Sequence, residues 1–319
     1  MIAFYTREGR QLVQLAEPEV GCWVNISPPF THDELEAAAE QFQIPIDFLT
    51  DSLDIDERPR FEREDDVRLV LLATPILNEG MERDDEAIYT TVPIGIVLTI
   101  EHVVTISAFE SPVIAQFLGN KVKGFAPADE RSFVLQIMEQ NVNRYLSCLK
   151  KLNIKRNLIE KELENSSRNT ELKQLLSIEK SLVYFVNALS TNELLKMKMK
   201  RIDLLGIGKD EDLTDLFEDI IIDNSQALSM ANVYTNILGG TMDAYSSIIS
   251  NNLNQFINRL TVITVALMVP TLIASFLGMN IPNGMEQSHF AFPAVLLFCV
   301  VFTLALSWFM LRRRNYLAR

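Results

Sequence analysis

Two stretches near the C-terminus constrain this chain more than anything else in it. Residues 260–279 and 290–311, 20 and 22 residues long, contain no charged side chain. About 20 consecutive apolar residues are what an α-helix needs to cross the hydrocarbon core of a bilayer. Two such runs in succession are hard to bury in a soluble core, so a pair of transmembrane helices is expected. The ten residues between them, 280–289, predict a hairpin with both ends on one side of the membrane. Arg259 precedes the first run and Arg312, Arg313 and Arg314 follow the second, while the connection has no Lys or Arg. The positive-inside bias then puts both termini in the cytoplasm of a cell (inner or plasma) membrane.

Charge divides the chain at the same place. From residue 256 onward five arginines stand against one glutamate, a net +4, whereas the whole chain carries −13. The front 255 residues therefore carry −17. A surface this acidic repels nucleic acid and attracts cations, so no nucleic-acid partner is expected. Cys22, Cys148 and Cys299 have no paired spacing, and His32, His102 and His289 are scattered. That pattern argues against disulfides and zinc clusters. The sequence has no Walker motif, Rossmann glycine pattern, nucleophile elbow or HExxH. No enzyme and no cofactor are expected, and a membrane-anchored scaffold or enzyme is the reading from another functional class. The N-terminus lacks a signal-peptide pattern, so the C-terminal helices are expected to direct insertion.

Residues 1–127 read as a cytoplasmic α/β domain. Val20 to Ile26 predicts a strand, and Thr31-His32-Asp33-Glu34 has the form of a capping box that opens a helix. Val67 to Thr74 is a β-rich run, and Ile94 to Ile100 with His102 to Ile106 predict a hairpin around Glu101. Continuous apolar strands predict a sheet covered by helices. Residues 128–204 read as an antiparallel helix pair with a turn near residues 165–169. Residues 205–259 read as a stalk helix, interrupted at Gly239-Gly240. The remaining assignments are transmembrane helix 1 over 260–279, an external loop over 280–289, transmembrane helix 2 over 290–311 and a basic cytoplasmic tail over 312–319.

The two apolar runs differ in character. The first carries Thr261, Thr264, Thr271 and Ser275, with Asn254 and Asn258 just ahead; the second has only Thr303 and Ser307. Asn254, Thr261, Met268 and Ser275 recur every seven residues, which puts them along one helix face. Polar residues avoid lipid, so this stripe is expected to line a pore. Hydroxyls bonded to their own helix, or small residues packing helices together, are the alternative. Pro270 removes one helix hydrogen bond from this run.

The first run ends in Gly278-Met279-Asn280, followed by a short loop, a last apolar run and a basic end. In this position the tripeptide resembles the signature of the CorA family of divalent-cation transporters. The resemblance extends back through Ala244-Tyr245-Ser246-Ser247-Ile248-Ile249-Ser250-Asn251-Asn252-Leu253-Asn254 and Leu260-Thr261, and to Arg58-Pro59-Arg60-Phe61-Glu62. The chain departs from the family pattern at Leu277 and Ile281, where Tyr and Phe are usual, and the Met285-Glu286 loop lacks the usual proline.

The resemblance implies a funnel-shaped homopentamer in membrane lipid, with Mg²⁺, and Co²⁺ or Ni²⁺ as passengers, moving through a pore lined by the first span. It implies a selectivity filter at Gly278, Met279 and Asn280. Amide oxygens there accept hydrogen bonds from waters that Mg²⁺ sheds reluctantly. Leu260 and Met268 match hydrophobic constrictions, with Asn254 and Thr271 as polar stations. Cytoplasmic Mg²⁺ is expected as a regulatory ligand at Asp219, completed by Asp84, Asp85 or Glu86 of a neighbouring copy. The zinc-transporting branch of the same family is the alternative within transport.

Overall fold

The computed structural model describes residues 1–9, 11–78, 86–165, 169–279, 284 and 290–317. The chain divides into two compact units, Met1–Thr241 and Met242–Arg319.

The first unit is built on a seven-stranded sheet. Its strands are β1 (Ile2–Glu8), β2 (Gln11–Leu15), β3 (Trp23–Ile26), β4 (Arg60–Glu64), β5 (Val67–Leu77), β6 (Tyr89–Leu98) and β7 (Val103–Ile106), in the spatial order β2-β1-β3-β7-β6-β5-β4. Only β3 and β7 run parallel; the other neighbours are antiparallel. The β6–β7 hairpin closes as expected, with Thr99 N–H donating to the His102 carbonyl at 3.0 Å. Alternation along each strand sends neighbouring side chains to opposite faces. Thus Leu69, Val97, Val104 and Val24 pack on one face against α1 (His32–Phe42) and α2 (Ile46–Asp51). Val70, Ile96, Val103 and Trp23 pack on the other, against α3 (Ile114–Leu118), α4 (Glu130–Asn165), α5 (Asn169–Ile202) and the start of α6 (Glu211–Leu277). The α/β domain followed by long helices is as the sequence predicts.

Local signals explain several starts and stops. Glu34 N–H donates to Thr31 Oγ1 at 3.3 Å, and the Glu34 carboxylate accepts from Thr31 N–H at 3.0 Å, which completes the capping box of α1. Arg60 opens β4 between three carboxylates, bonding Glu62 at 2.6 Å, Asp51 at 2.7 Å and also Glu57. Gly239 and Gly240 do not interrupt α6; the helix passes through both. A side chain at either would meet nothing within 4 Å, so no close helix contact of this chain calls for them.

One strand position ties sheet and helices together. Strand β4 pairs with β5 only as far as Arg60 opposite Leu71, so two residues further on Ala73 has no strand partner on that side. The Ala73 carbonyl accepts instead from Asn141 Nδ2 at 2.9 Å, Tyr145 O–H at 3.1 Å and Asn192 Nδ2 at 2.8 Å. Ala73 N–H donates to Asn192 Oδ1 at 3.1 Å. Burial pushes the Tyr145 phenol well above its usual pKa, which keeps that proton in place as a donor. Side chains of α4 and α5 thus satisfy a backbone group that the strand ladder leaves open.

At Gly95 on β6 the residue that ends α2, Ser52, lies against the sheet. A Cβ there would lie 2.0 Å from Ser52 Oγ and 2.9 Å from Ile106 Cγ2, both buried. Ser52 cannot swing away without giving up its 2.6 Å bond to the Phe48 carbonyl. Gly95→Ala is predicted to cost about 1–3 kcal/mol through overpacking. A lowered thermal midpoint of the purified chain is the expected result; an unchanged midpoint would refute the close approach.

Candidate functional site

The second unit contains the end of α6 and α7 (Ala291–Leu317). An 18-residue window of α6 has mean hydropathy 2.3, yet none of it is buried within the chain. Residues 251–277 of α6 include no buried side chain. Leu260 is 53% exposed and Met268 66%. So much apolar surface left uncovered needs a solvent other than water.

From Leu260 onward the polar residues of α6 are not scattered around it. At about 100° per residue, Asn254, Thr261, Thr264, Met268, Thr271 and Ser275 fall within an arc of roughly 100°, with Leu260 at its margin. The points where α7 approaches lie on the other side of the helix. Thr303 Oγ1 donates to the Ala266 carbonyl at 3.5 Å. Ile273, Phe276 and Leu277 of α6 line an apolar cavity of about 400 Å³ with Ala294, Val295 and Phe298 of α7. The polar stripe therefore faces away from α7.

The hydroxyls on the stripe are occupied in a specific way. Thr261, Thr264 and Thr271 donate to the carbonyls of Ile257, Leu260 and Leu267 at 2.9, 2.9 and 2.8 Å. Bonding to the helix itself is thus observed, and it coexists with the stripe. A hydroxyl that donates inward still presents its oxygen lone pairs outward.

Thr303 has a role that the sequence does not announce. Pro270 lies in the interior of α6 and lacks the N–H that would bond the carbonyl four residues earlier, that of Ala266. Thr303 donates to this same carbonyl. The proline is a visible signal; the donor to the carbonyl it frees, 37 residues from Ala266 and on another helix, is not.

Of the expected filter, Gly278 and Met279 follow the last turn of α6, with Gly278 N–H bonded to the Ala274 carbonyl at 2.9 Å. A Cβ at Gly278 would come within 3.2 Å of that carbonyl oxygen, so a larger residue would crowd the helix end. Asn280 lies outside the described residues, as do Asp84 and Asp85. Asp219 is exposed on α6, in a series with Glu211, Asp215 and Asp223 spaced four apart. Glu86 is half-buried ahead of β6. Among the described residues no three His, Cys, Asp or Glu side chains come together as a metal site.

With this geometry established, comparison with known proteins is decisive. The model of the CorA-like Mg²⁺ transporter protein family matches residues 19–313. The chain belongs to that family. Its membership makes it a membrane protein, in keeping with the uncovered apolar surface of α6. A curated relative, the cobalt/magnesium transport protein CorA of Methanocaldococcus jannaschii, is 26% identical over 262 residues, covering 81% of this chain and 79% of the relative. The complete structure of the CorA magnesium transporter from the same organism superposes with a TM-score of 0.80 at 23% identity, covering 97% of this chain and 96% of that one. The ZntB cytoplasmic domain from Vibrio parahaemolyticus shares the fold at a TM-score of 0.59 and 12% identity, over 79% of this chain and 98% of that domain.

The Thr303 bond yields a prediction. Thr303→Val is expected to destabilise the chain by about 0.6–2 kcal/mol, the range for polar contacts between membrane helices. In a Pro270→Ala background the ladder bond is restored, so the same substitution should cost much less. Unfolding in mixed detergent micelles measures both, and equal costs in the two backgrounds would refute the pairing.

Proposed function

We propose that copies of this chain assemble as a homopentamer whose α6 helices enclose a path for Mg²⁺ across the membrane, with Co²⁺ and Ni²⁺ as further passengers. The observation that carries this reading is the polar stripe: an uncharged face on an otherwise apolar helix, turned away from α7. In such an assembly Asn254, Thr261, Thr271 and Ser275 offer oxygens to the waters of a hydrated ion, which Mg²⁺ gives up reluctantly. Leu260 and Met268 form narrow apolar rings that close by dewetting. Gly278, Met279 and Asn280 make the outer filter, where neutral amides hold a hydrated ion loosely enough for it to leave. Residues 260–279 and 290–311 span the bilayer as a hairpin, with both termini cytoplasmic. The relative's printed function, cobalt and magnesium transport, supports the choice of ion. The chain acts as a conduit, with no catalytic residue and no cofactor; Mg²⁺ is its cargo and its regulatory ligand.

Regulation follows from the acidic front. Cytoplasmic Mg²⁺ held between copies, with Asp219 on one and Asp84, Asp85 or Glu86 on the next, favours the closed state. Its loss favours opening, because a ligand shifts a population by its differential affinity.

Zinc transport is the second reading, supported by the fold shared with the ZntB domain.

Uptake of Mg²⁺ and Zn²⁺ into proteoliposomes separates these readings. Asn280→Ala is predicted to abolish most Mg²⁺ uptake while leaving the assembly intact by size-exclusion chromatography. Full uptake by this variant would sink the pore reading, and Zn²⁺ flux well above Mg²⁺ flux would transfer it to the second. Asp219→Ala is predicted to weaken the protection that Mg²⁺ gives against limited proteolysis; unchanged protection would remove Asp219 from the regulatory site.

A further inference from the structure

A fully buried lysine joins α5 to α6 within Met1–Thr241. Lys196 and Asn224 both have none of their surface exposed. Lys196 Nζ donates to Asn224 Oδ1 at 2.6 Å, and Asn224 Nδ2 donates to the Leu189 carbonyl at 3.0 Å. The Leu189 carbonyl can only accept, so it fixes the amide with its oxygen toward the lysine. The partner of Lys196 is thus a neutral amide, not a carboxylate. Burying an ammonium against a neutral group is costly, and such a site favours the uncharged amine.

The charged groups nearby leave this imbalance standing. Glu193 lies one turn earlier on α5, half-buried. Lys200, one turn later, is engaged with Glu218 of α6 at 2.6 Å. Asp223 adjoins Asn224 on α6. Over the stretch of α4 that shares this core, Met138 and Val142 are apolar, flanked by Glu139 and Arg144. Strand β4 meets α5 where Lys198 sits 4.6 Å above the Phe61 ring, and its Arg60 is already held by Asp51, Glu57 and Glu62. Arg68 on β5 is held by Glu130 at 2.9 Å, and β6 carries no charge. Burial dominates over the attraction of Glu193 and lowers the Lys196 pKa from 10.5 to about 7.

We propose that Lys196 and Asn224 form a proton-operated clasp: the two helices close on a neutral lysine, and protonation loosens α5 from α6 as the surrounding medium acidifies. The sign follows from where the proton goes. Between the unfolded value and the folded one, the open chain holds a proton on Lys196 that the closed chain lacks. Stability from the clasp is therefore lost as pH falls through that window, and below it both forms are protonated and the dependence levels off. Helix α6 is the element that continues into the polar stripe, so the clasp acts on the helix that the proposed pore uses.

The test uses the full chain in detergent between pH 6 and 9.5, and its readout does not depend on transport. Hydrogen-exchange protection factors, which remove the intrinsic pH dependence of exchange, are measured for peptides within α5 and the first half of α6. Protection there is expected to fall by up to about tenfold per pH unit from pH 9 toward 7 and then level off. Lys196→Met, similar in length and uncharged, should abolish this slope. Asn224→Asp supplies a carboxylate that keeps the lysine charged, and should flatten the slope as well. A slope equal to wild type in Lys196→Met overturns the proposal. If Lys196→Met does not fold, an unchanged slope in Asn224→Asp overturns it alone.

Discussion

The backbone ladder of α6, which runs from one unit into the other, is the constraint on which the rest of this structure depends. The same helix buries Phe217, Ile220, Asn224, Ala227, Ala231 and Leu238 in the first unit and exposes apolar side chains in the second. One helix thus belongs to both units, and Pro270 is the place where its ladder lacks a donor. Two adjacent glycines near the change, each less favourable in a helix than alanine by roughly 1 kcal/mol, do not break it. Helices shorter than a few turns need tertiary support, whereas one of 67 residues spreads that cost over its length.

What the sequence made legible follows from periodicity. The long helices repeat their apolar residues every three or four positions, and β5 and β6 are nearly continuous in apolar residues, so both kinds of element stand out. The outer strands do not. Strand β4 reads Arg-Phe-Glu-Arg-Glu and β2 reads Gln-Leu-Val-Gln-Leu, both at sheet edges where a strand needs only one partner and little burial. Strand β1 mixes Tyr, Thr and Arg with its apolar residues, because much of it is only partly covered. Nothing in such short mixed segments distinguishes a strand from a loop until the partner strand is known.

At the candidate site the same distinction holds. A spacing of seven is a property of one helix, and Asn254, Thr261, Met268 and Ser275 could be placed on one face from their numbers alone. The pairing of Thr303 with the carbonyl that Pro270 leaves open depends on how two helices approach, and no local pattern encodes it. Lys196 was invisible for a like reason. In a helix rich in Lys and Glu, one lysine turned inward looks the same as its exposed neighbours. Its burial is decided by Asn224, on the following helix.

The inward bonds of Thr261, Thr264 and Thr271 have a chemical consequence. With each hydrogen committed to the helix, these three hydroxyls offer electron density and no proton. A chloride or phosphate ion beside them finds nothing to bind, whereas water in the shell of a metal ion finds a row of bases. A surface that carries no formal charge thus has a chemical sense, accepting and not donating, set by the direction in which three hydroxyl bonds point.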